Sequence, residues 1–386
     1  MDFELPWDVK TLQDIVRRFV QQELIPVENR TRPEGDDMPE DALRAFQHKA
    51  KEAGLWLLDV PREHGGAGLS LLARCVVQEE IAKTVALPFR TNELFGPAVG
   101  PILYRCDESQ KQRFLEPVIA GQLRVCFAQT EPDSGSDPAS IRTRAVRDGD
   151  AYLLTGTKRF ITGAGKADYA QVICLTDPDK GARGGVSCLM VDLKAPGVQL
   201  VRQWPTMMGD APWEIAFDDV RVPLEDRIGQ EGQGFELGQA WLTDGRVKGH
   251  GARCVGIAQR ALEMMMDYAR HRVTFGQPLS ERQAIQFMIA DSAIELHAAR
   301  LMVYQCACKA DQGQPVRDES YMVKVFCTEM ASRVVDRAIQ VHGGIGLSTE
   351  LPLEWWYRQL RSIRITEGVT EVLRWRLARN LIRARG

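Results

Sequence analysis

Apolar positions follow two rhythms along the chain, and the switch between them divides it in three. From about residue 8 to 123 they recur at helical spacing, with Leu12, Ile15, Val16, Phe19 and Val20 on one face. Asp41 to Trp56 repeats the pattern and is closed by Gly54. Leu71 to Thr84 and Ser109 to Gly121 read as further helices, the last with Asp107 or Ser109 as N-cap. Pro61 to Gly68 reads as a loop. Near Val125 the texture changes to short β-type runs: Tyr169 to Leu175, Val186 to Val191 and Trp213 to Phe217. Asp148-Gly149 between Ala145-Val146 and Tyr152-Leu153-Leu154 is a hairpin signal. Short strands separated by regular turns predict a small barrel or sandwich. After Gly234 helical spacing returns. Ile257, Ala261, Met265 and Tyr268 share one face, Ile285, Met288, Ile289, Ser292 and Leu296 another. Met322, Val325, Phe326, Val335, Ala338 and Ile339 lie on a third long helix. The chain is thus expected to be mainly α with a middle β domain. The divisions are an N-terminal helical domain over 1–124, a β domain over 125–233 and a helical domain over 234–386.

Composition narrows the function classes. The 386 residues are too many for one simple core, which agrees with the division into domains. With 44% hydrophobic and 26% charged residues the chain reads as soluble and globular. A net charge of −3 supplies no overall basic field, so nucleic acid is not an expected partner. Nine cysteines fall in no framework spacing, and Cys306 and Cys308 form only a C-x-C. They read as reduced thiols of a cytoplasmic protein. The opening residues Met1 to Trp7 have neither the basic nor the apolar region of a signal peptide. No stretch reaches the roughly 18 apolar residues of a membrane span.

Five segments carry candidate chemistry. The first is Cys126-Phe-Ala-Gln-Thr-Glu-Pro-Asp-Ser-Gly-Ser-Asp137. It sets a capping acid, hydroxyls and a glycine in one polar loop, able to offer donors to a phosphate or a flavin edge. Lys158-Arg-Phe-Ile-Thr-Gly-Ala-Gly165 follows in the strand region. Arg270-His-Arg-Val-Thr-Phe-Gly-Gln-Pro-Leu279 closes a helix with cations suited to its dipole. Gln340-Val-His-Gly-Gly-Ile-Gly346 is glycine-rich, but it follows a helix and lacks G-x-G-x-x-G spacing, which excludes a Rossmann loop. Its His342 reads as a cap or surface residue. Arg364-Ile-Thr-Glu-Gly368 ends the set, with Glu367 as a carboxylate able to act as a base.

Together these segments resemble the paired signatures of the acyl-CoA dehydrogenase family, over nearly the whole chain. The resemblance implies an N-terminal helical domain, a small β-barrel or sandwich and a C-terminal four-helix bundle. It implies FAD as cofactor and an acyl-CoA thioester as substrate. The α-proton would go to Glu367 and the β-hydride to flavin N5, giving a 2-enoyl-CoA. Phe127, Gln129 and Thr130 would contact the isoalloxazine, Gly135 would allow close approach, and Ser136 would meet the pyrophosphate and the substrate. Phe160 stands where the family usually has tryptophan and would cover one flavin face, with Thr162 bonding N5. Arg272 and Phe275 would reach the partner's FAD across a dimer, with Gln283 near the adenosine. Gln340, Gly343 and Gly344 would contact the adenine end, and Glu371, which replaces a common glutamine, would also lie at the cofactor. Arg246 and Gly368 would bind substrate. Val369 replaces the usual threonine and removes one hydroxyl.

Some family members carry the base just before the arginine that opens the first long C-terminal helix. Here Leu242-Thr-Asp-Gly-Arg-Val-Lys-Gly-His-Gly251 reads one residue longer than the family pattern before Gly256. Either register puts Gly245 or Arg246 at that position, neither able to deprotonate a substrate, and leaves Asp244 as the rival to Glu367. Arg90 is expected at the surface. The resemblance further implies an electron-transfer flavoprotein as electron acceptor and a homodimer or homotetramer. An oxygen-using flavoprotein, a catalytically silent subunit and a non-redox lyase are the alternatives; a retained Glu367 argues against the last two.

Overall fold

Helices α1 (Trp7–Phe19), α2 (Glu40–Glu52) and α3 (Leu71–Ile81) open the chain and share a core that includes Val16, Leu24, Phe46 and Ile81. The computed structural model describes residues 4–33, 38–90, 93–181 and 184–384. Ser70 caps α3, its Oγ accepting from the Ala73 N–H at 3.2 Å. α2 and α3 stop short of the expected Trp56 and Thr84. After α2, Gly54 takes a left-handed φ of +72° and turns the chain away. Residues Glu108 to Ile119 form the next helical stretch. Asp107 is its cap: Asp107 Oδ1 accepts from Gln110 N at 2.8 Å and Gln110 Oε1 from Asp107 N at 3.1 Å.

The middle of the chain forms one hydrogen-bonded sheet. Its strands are β1 (Val125–Ala128), β2 (Arg144–Asp148), β3 (Ala151–Ile161), β4 (Tyr169–Leu175), β5 (Val186–Asp192), β6 (Val198–Gln203), β7 (Trp213–Pro223) and β8 (Arg227–Ile228). The order is β6-β7-β3-β2-β4-β5-β8, with β1 parallel to β4. Asp148 pairs with Ala151, so the expected hairpin closes over Gly149-Asp150. β4 and β5 are buried over most of their length, as their unbroken apolar runs require, whereas β6 lies at the sheet edge with four of its six positions exposed.

The C-terminal part is helical: α4 (Gly234–Asp244), α5 (Arg253–His271), α6 (Gln283–Asp311), α7 (Arg317–His342), α8 (Leu353–Ile363) and α9 (Thr370–Arg383). Between α4 and α5 the chain stays helical as a π segment, Gly245–Ala252. A π turn accommodates one residue more than an α turn without breaking the helix. It falls where the sequence runs one residue long. α7 is the central helix and buries Val323, Met330, Val334 and Ala338 among its neighbours. α3 is tied to this bundle through buried Glu79, which accepts from Arg300 Nη2 at 2.8 Å and Tyr304 Oη at 2.9 Å. All nine cysteines are free and eight are buried. Among the described residues no helix is long and apolar enough to cross a membrane, and no side-chain group could hold a metal ion.

Candidate active site

The three regions meet around a cavity of about 1540 Å³. That exceeds the few hundred cubic ångströms that one small ligand needs and admits two large ones. Of the anticipated residues, Phe127, Gln129, Thr130, Gly135, Ser136, Phe160 and Thr162 line it from the sheet side. Arg246, Glu367 and Gly368 line it from the helical side. Among the described residues only five other than glycine have a left-handed φ. Leu57, Phe160 and Glu367 line the cavity, whereas Phe275 lies outside it and Asp219 is in β7. Backbone strain of this kind persists where the surroundings enforce it, and it concentrates at functional sites.

Glu367 sits in the turn between α8 and α9 with φ +55°, followed by Gly368 at φ +104°. Two cations enforce this turn. Lys324, fully buried on α7, donates its Nζ protons to the carbonyls of Thr366 and Gly368. Arg246 Nε donates to the Glu367 carbonyl at 3.1 Å. The carboxylate is 30% exposed, and its Oε2 lies 3.2 Å from Nε2 of buried His250. Burial works against the ionised form, but the charges of His250, Lys324 and Arg90 outweigh it and hold Glu367 down at about 2. The carboxylate is therefore ionised at neutral pH. Burial also pushes the Lys324 ammonium down to about 7, with Glu367 pulling the other way. Burial lowers His250, with Glu367 pulling the other way.

The region of the alternative base also lies at the cavity. A Cβ on Gly245 would lie 2.3 Å from Glu367 Oε2, so Gly245 faces the carboxylate and a side chain there would displace it. Asp244 is held by Arg74 of α3, Oδ1 to Nη2 at 3.0 Å.

On the sheet side, the loop 129–143 is anchored from below. Buried Glu131 accepts from Lys158 Nζ at 2.7 Å and from the N–H groups of Arg142 and Thr143 at 2.7 and 3.0 Å. Lys158 Nζ also donates to the Gln129 carbonyl at 3.0 Å. The capping acid of the loop is Asp137, which accepts from Ala139 N at 3.1 Å. Phe160 is half exposed to the cavity, its ring 5.6 Å from that of Trp204. A flavin suits this wall. Gln129 Oε1, Gln171 Nε2 and Thr366 Oγ1 are buried cavity-lining groups without a hydrogen-bond partner among the described residues, and a flavin edge carries both donors and acceptors. Gly135 has only an ordinary contact at 3.9 Å and no left-handed φ, so neither the packing nor the backbone around it requires glycine.

The remaining anticipated residues are not brought to this cavity. Arg272 and Phe275 lie at the end of α5 and in the small hairpin Val273–Pro278. Both are exposed, Phe275 by 98%. Gln283 opens α6, Gln340 is near the end of α7, and Gly343 and Gly344 follow it; all are exposed. Glu371 is exposed in the first turn of α9, its Oε2 accepting from Thr370 Oγ1 at 3.1 Å. His342 does cap its own helix, with Nδ1 2.7 Å from Ala338 O, but it is buried and stacked on Tyr268. Arg90 corrects a surface expectation. It lines the cavity, its Nε donates to Asp210 Oδ2 at 2.9 Å, and its charge reaches Glu367. Sequence reading also missed His250, Lys324 and the basic edge of α9. Only the last left a visible signal, Arg376, Arg379 and Arg383 on one helical face lining the cavity.

Comparison with known proteins gives the same picture over the whole chain. Sequence profiles of the acyl-CoA dehydrogenase N-terminal, middle and C-terminal domains match residues 8–122, 126–220 and 232–382. Human mitochondrial short-chain specific acyl-CoA dehydrogenase is 36% identical over 99% of this chain and 92% of that protein. Subunit CarC of the caffeyl-CoA reductase–Etf complex of Acetobacterium woodii is 36% identical over 94% of this chain and 95% of its own. The solved structure of butyryl-CoA dehydrogenase from Megasphaera elsdenii superposes with a TM-score of 0.86 at 30% identity. It covers 99% of this chain and all of that one.

Proposed function

The chain belongs to the acyl-CoA dehydrogenase family, and from that premise we propose that it converts an acyl-CoA thioester to the 2-enoyl-CoA with Glu367 as the base. It is an oxidoreductase and an FAD flavoprotein. The observation that carries the reading is an ionised Glu367 in a strained turn clamped by Lys324 and Arg246, facing a cavity large enough for cofactor and substrate. Bound FAD supplies a flavin ring able to accept a hydride.

The chain's own residues do the rest. Glu367 takes the α-proton of the thioester. The carbonyls of Thr366 and Glu367 point at Lys324 and Arg246. In trans peptides the following N–H groups, those of Glu367 and Gly368, then point the opposite way, where they polarise the thioester carbonyl. Phe127, Gln129, Thr130, Gly135, Ser136, Phe160 and Thr162 would hold the isoalloxazine and the FAD pyrophosphate. Arg317 and the α9 stripe Arg376, Arg379 and Arg383 suit the phosphates of CoA.

Arg272, Phe275, Gln283, Gln340, Gly343, Gly344 and Glu371 are outside this cavity because they serve the FAD of a second copy, in a homodimer or homotetramer. The support is a 98% exposed Phe275 in a strained hairpin. We divide the chain at 124 and 233, with the site between the parts. Electrons leave to an electron-transfer flavoprotein, the kind of partner that the Acetobacterium relative is named for. Nine free cysteines suit a reducing cytoplasm.

One anaerobic experiment tests the reading. The purified holoenzyme is sized by light scattering, then mixed with straight, branched, aromatic and dicarboxylic acyl-CoAs while the visible flavin band is followed. A dimer or tetramer bleached by one class of thioester is expected. A monomeric holoenzyme removes the partner-subunit contacts, and a flavin that no thioester bleaches removes the dehydrogenase reading.

A further inference from the structure

The helix that faces Glu367 is the one interrupted by the π segment Gly245–Ala252, and three glycines shape it. Gly245 makes room for the carboxylate. A Cβ on Gly251 would lie 2.4 Å from Val323 Cγ1, so that turn packs directly on α7. Gly249 has nothing within 4 Å and lines the cavity. Between the last two, His250 is buried with a relative exposure of 5% and points at Glu367. Among the described residues, neither ring nitrogen of His250 nor Oε2 of Glu367 has another hydrogen-bond partner. The 3.2 Å Nε2–Oε2 approach itself lies off the ideal hydrogen-bond direction. A buried imidazole left with two unsatisfied nitrogens is costly, and a Glu367 carboxylate oxygen lies 3.2 Å from one of them. Such contacts often tighten only when substrate is in place.

We propose that His250 is a positioning residue for Glu367: the extra residue of the π turn brings its Nε2–H against carboxylate Oε2, so that Oε1 is the oxygen presented to the substrate. The inference rests on the reading of Glu367 as the base. His250 takes no proton from the substrate; it fixes the carboxylate's rotation and favours its ionised form. The groups facing this pair are Lys324 from α7, Arg246 and Arg253 from the helix of His250, and Arg90 from the segment after α3. Lys324 and Arg246 are spent on main-chain carbonyls of the turn and Arg90 is paired with Asp210. His250 is the group that touches the carboxylate itself.

The test compares holoenzyme with His250→Leu, which keeps bulk without a donor, and His250→Gln, whose Nε2 reaches the same place. Infrared difference spectra against Glu367→Gln read the protonated carboxyl band of Glu367 from about pH 8 to about pH 4. The wild type and His250→Gln are expected to stay ionised over this range. His250→Leu should protonate about two pH units higher than wild type and show the band near the acid end. The rate of flavin reduction by a reactive acyl-CoA should fall about tenfold or more in His250→Leu near pH 6 and recover in His250→Gln. If His250→Leu fails to retain FAD, His250→Asn replaces it, since its shorter amide cannot reach Oε2. Identical infrared titrations for the donor-retaining and donor-lacking variants would overturn the proposal. A wild type that no acyl-CoA reduces counts against the dehydrogenase reading instead, and leaves the infrared result to decide the role of His250.

Discussion

A glutamate in the left-handed region is held at a cost of about 1 to 3 kcal/mol, and here two buried cations supply the opposing bonds. The strain and the clamp have one purpose, to fix where the carboxylate sits. Gly245 shows how little tolerance remains. Its missing Cβ leaves the space that Glu367 Oε2 occupies, 2.3 Å from where a methyl would stand. Gly245→Ala should therefore displace Glu367 and slow flavin reduction by about tenfold or more, with FAD content unchanged. Stopped-flow absorbance checks this, and a variant reducing at the wild-type rate would mean the carboxylate has room to spare. Glu367 itself was legible because its chemistry and its Thr-Glu-Gly setting are local. Lys324 and His250 were not. A lysine on a long helix reads as a solvated charge, and only the fold brings it under a turn that is distant in sequence.

At the scale of elements, the loop that meets the flavin depends on a pair below it. Lys158, from the middle of β3, and Glu131 are almost fully buried, and each lacks another charged partner among the ion pairs found in the described residues. Burial lowers Lys158 and raises Glu131, but their attraction and the N–H groups on Glu131 leave the carboxylate below its usual range. Removing one partner of such a pair strands the other charge. Lys158→Met should destabilise the protein by about 3 to 5 kcal/mol and release FAD, measured by denaturant unfolding and flavin content. The double variant Glu131→Met with Lys158→Met should recover much of the loss. A single variant as stable as wild type would show the pair to be dispensable. The motif around Thr130 was read as a cofactor loop and does line the cavity, but its acid was not readable as an internal anchor, because the partner comes from another strand. The hairpin at Gly149 was readable from its turn and flanking β-formers. β6 was missed because an exposed edge strand shows little apolar pattern. The extra residue near Gly245 was visible as a length anomaly, and its resolution as a π turn required the packed helix.

At the scale of the molecule, three regions converge on one cavity, with Leu72 and Cys75 of α3 packed into the core of the C-terminal helices. The sheet offers the wall proposed for the flavin, the π segment and α7 hold Glu367, and α9 offers cations. The change of texture at Val125 and again at Gly234 was enough to read this organisation from the sequence. The position of Arg90 in the cavity wall was not, since the segment after α3 has no periodic pattern to orient it.

The account stands or falls on Glu367 as the proton acceptor, so the most direct measurement is single-turnover flavin reduction by one reactive acyl-CoA in wild type and Glu367→Gln. The amide keeps the size of the side chain and its place beside His250 but cannot take the α-proton. The account predicts a yellow variant with normal FAD content whose flavin reduction falls at least about a hundredfold. A Glu367→Gln protein bleached at the wild-type rate would contradict it and move the base to another group in the cavity.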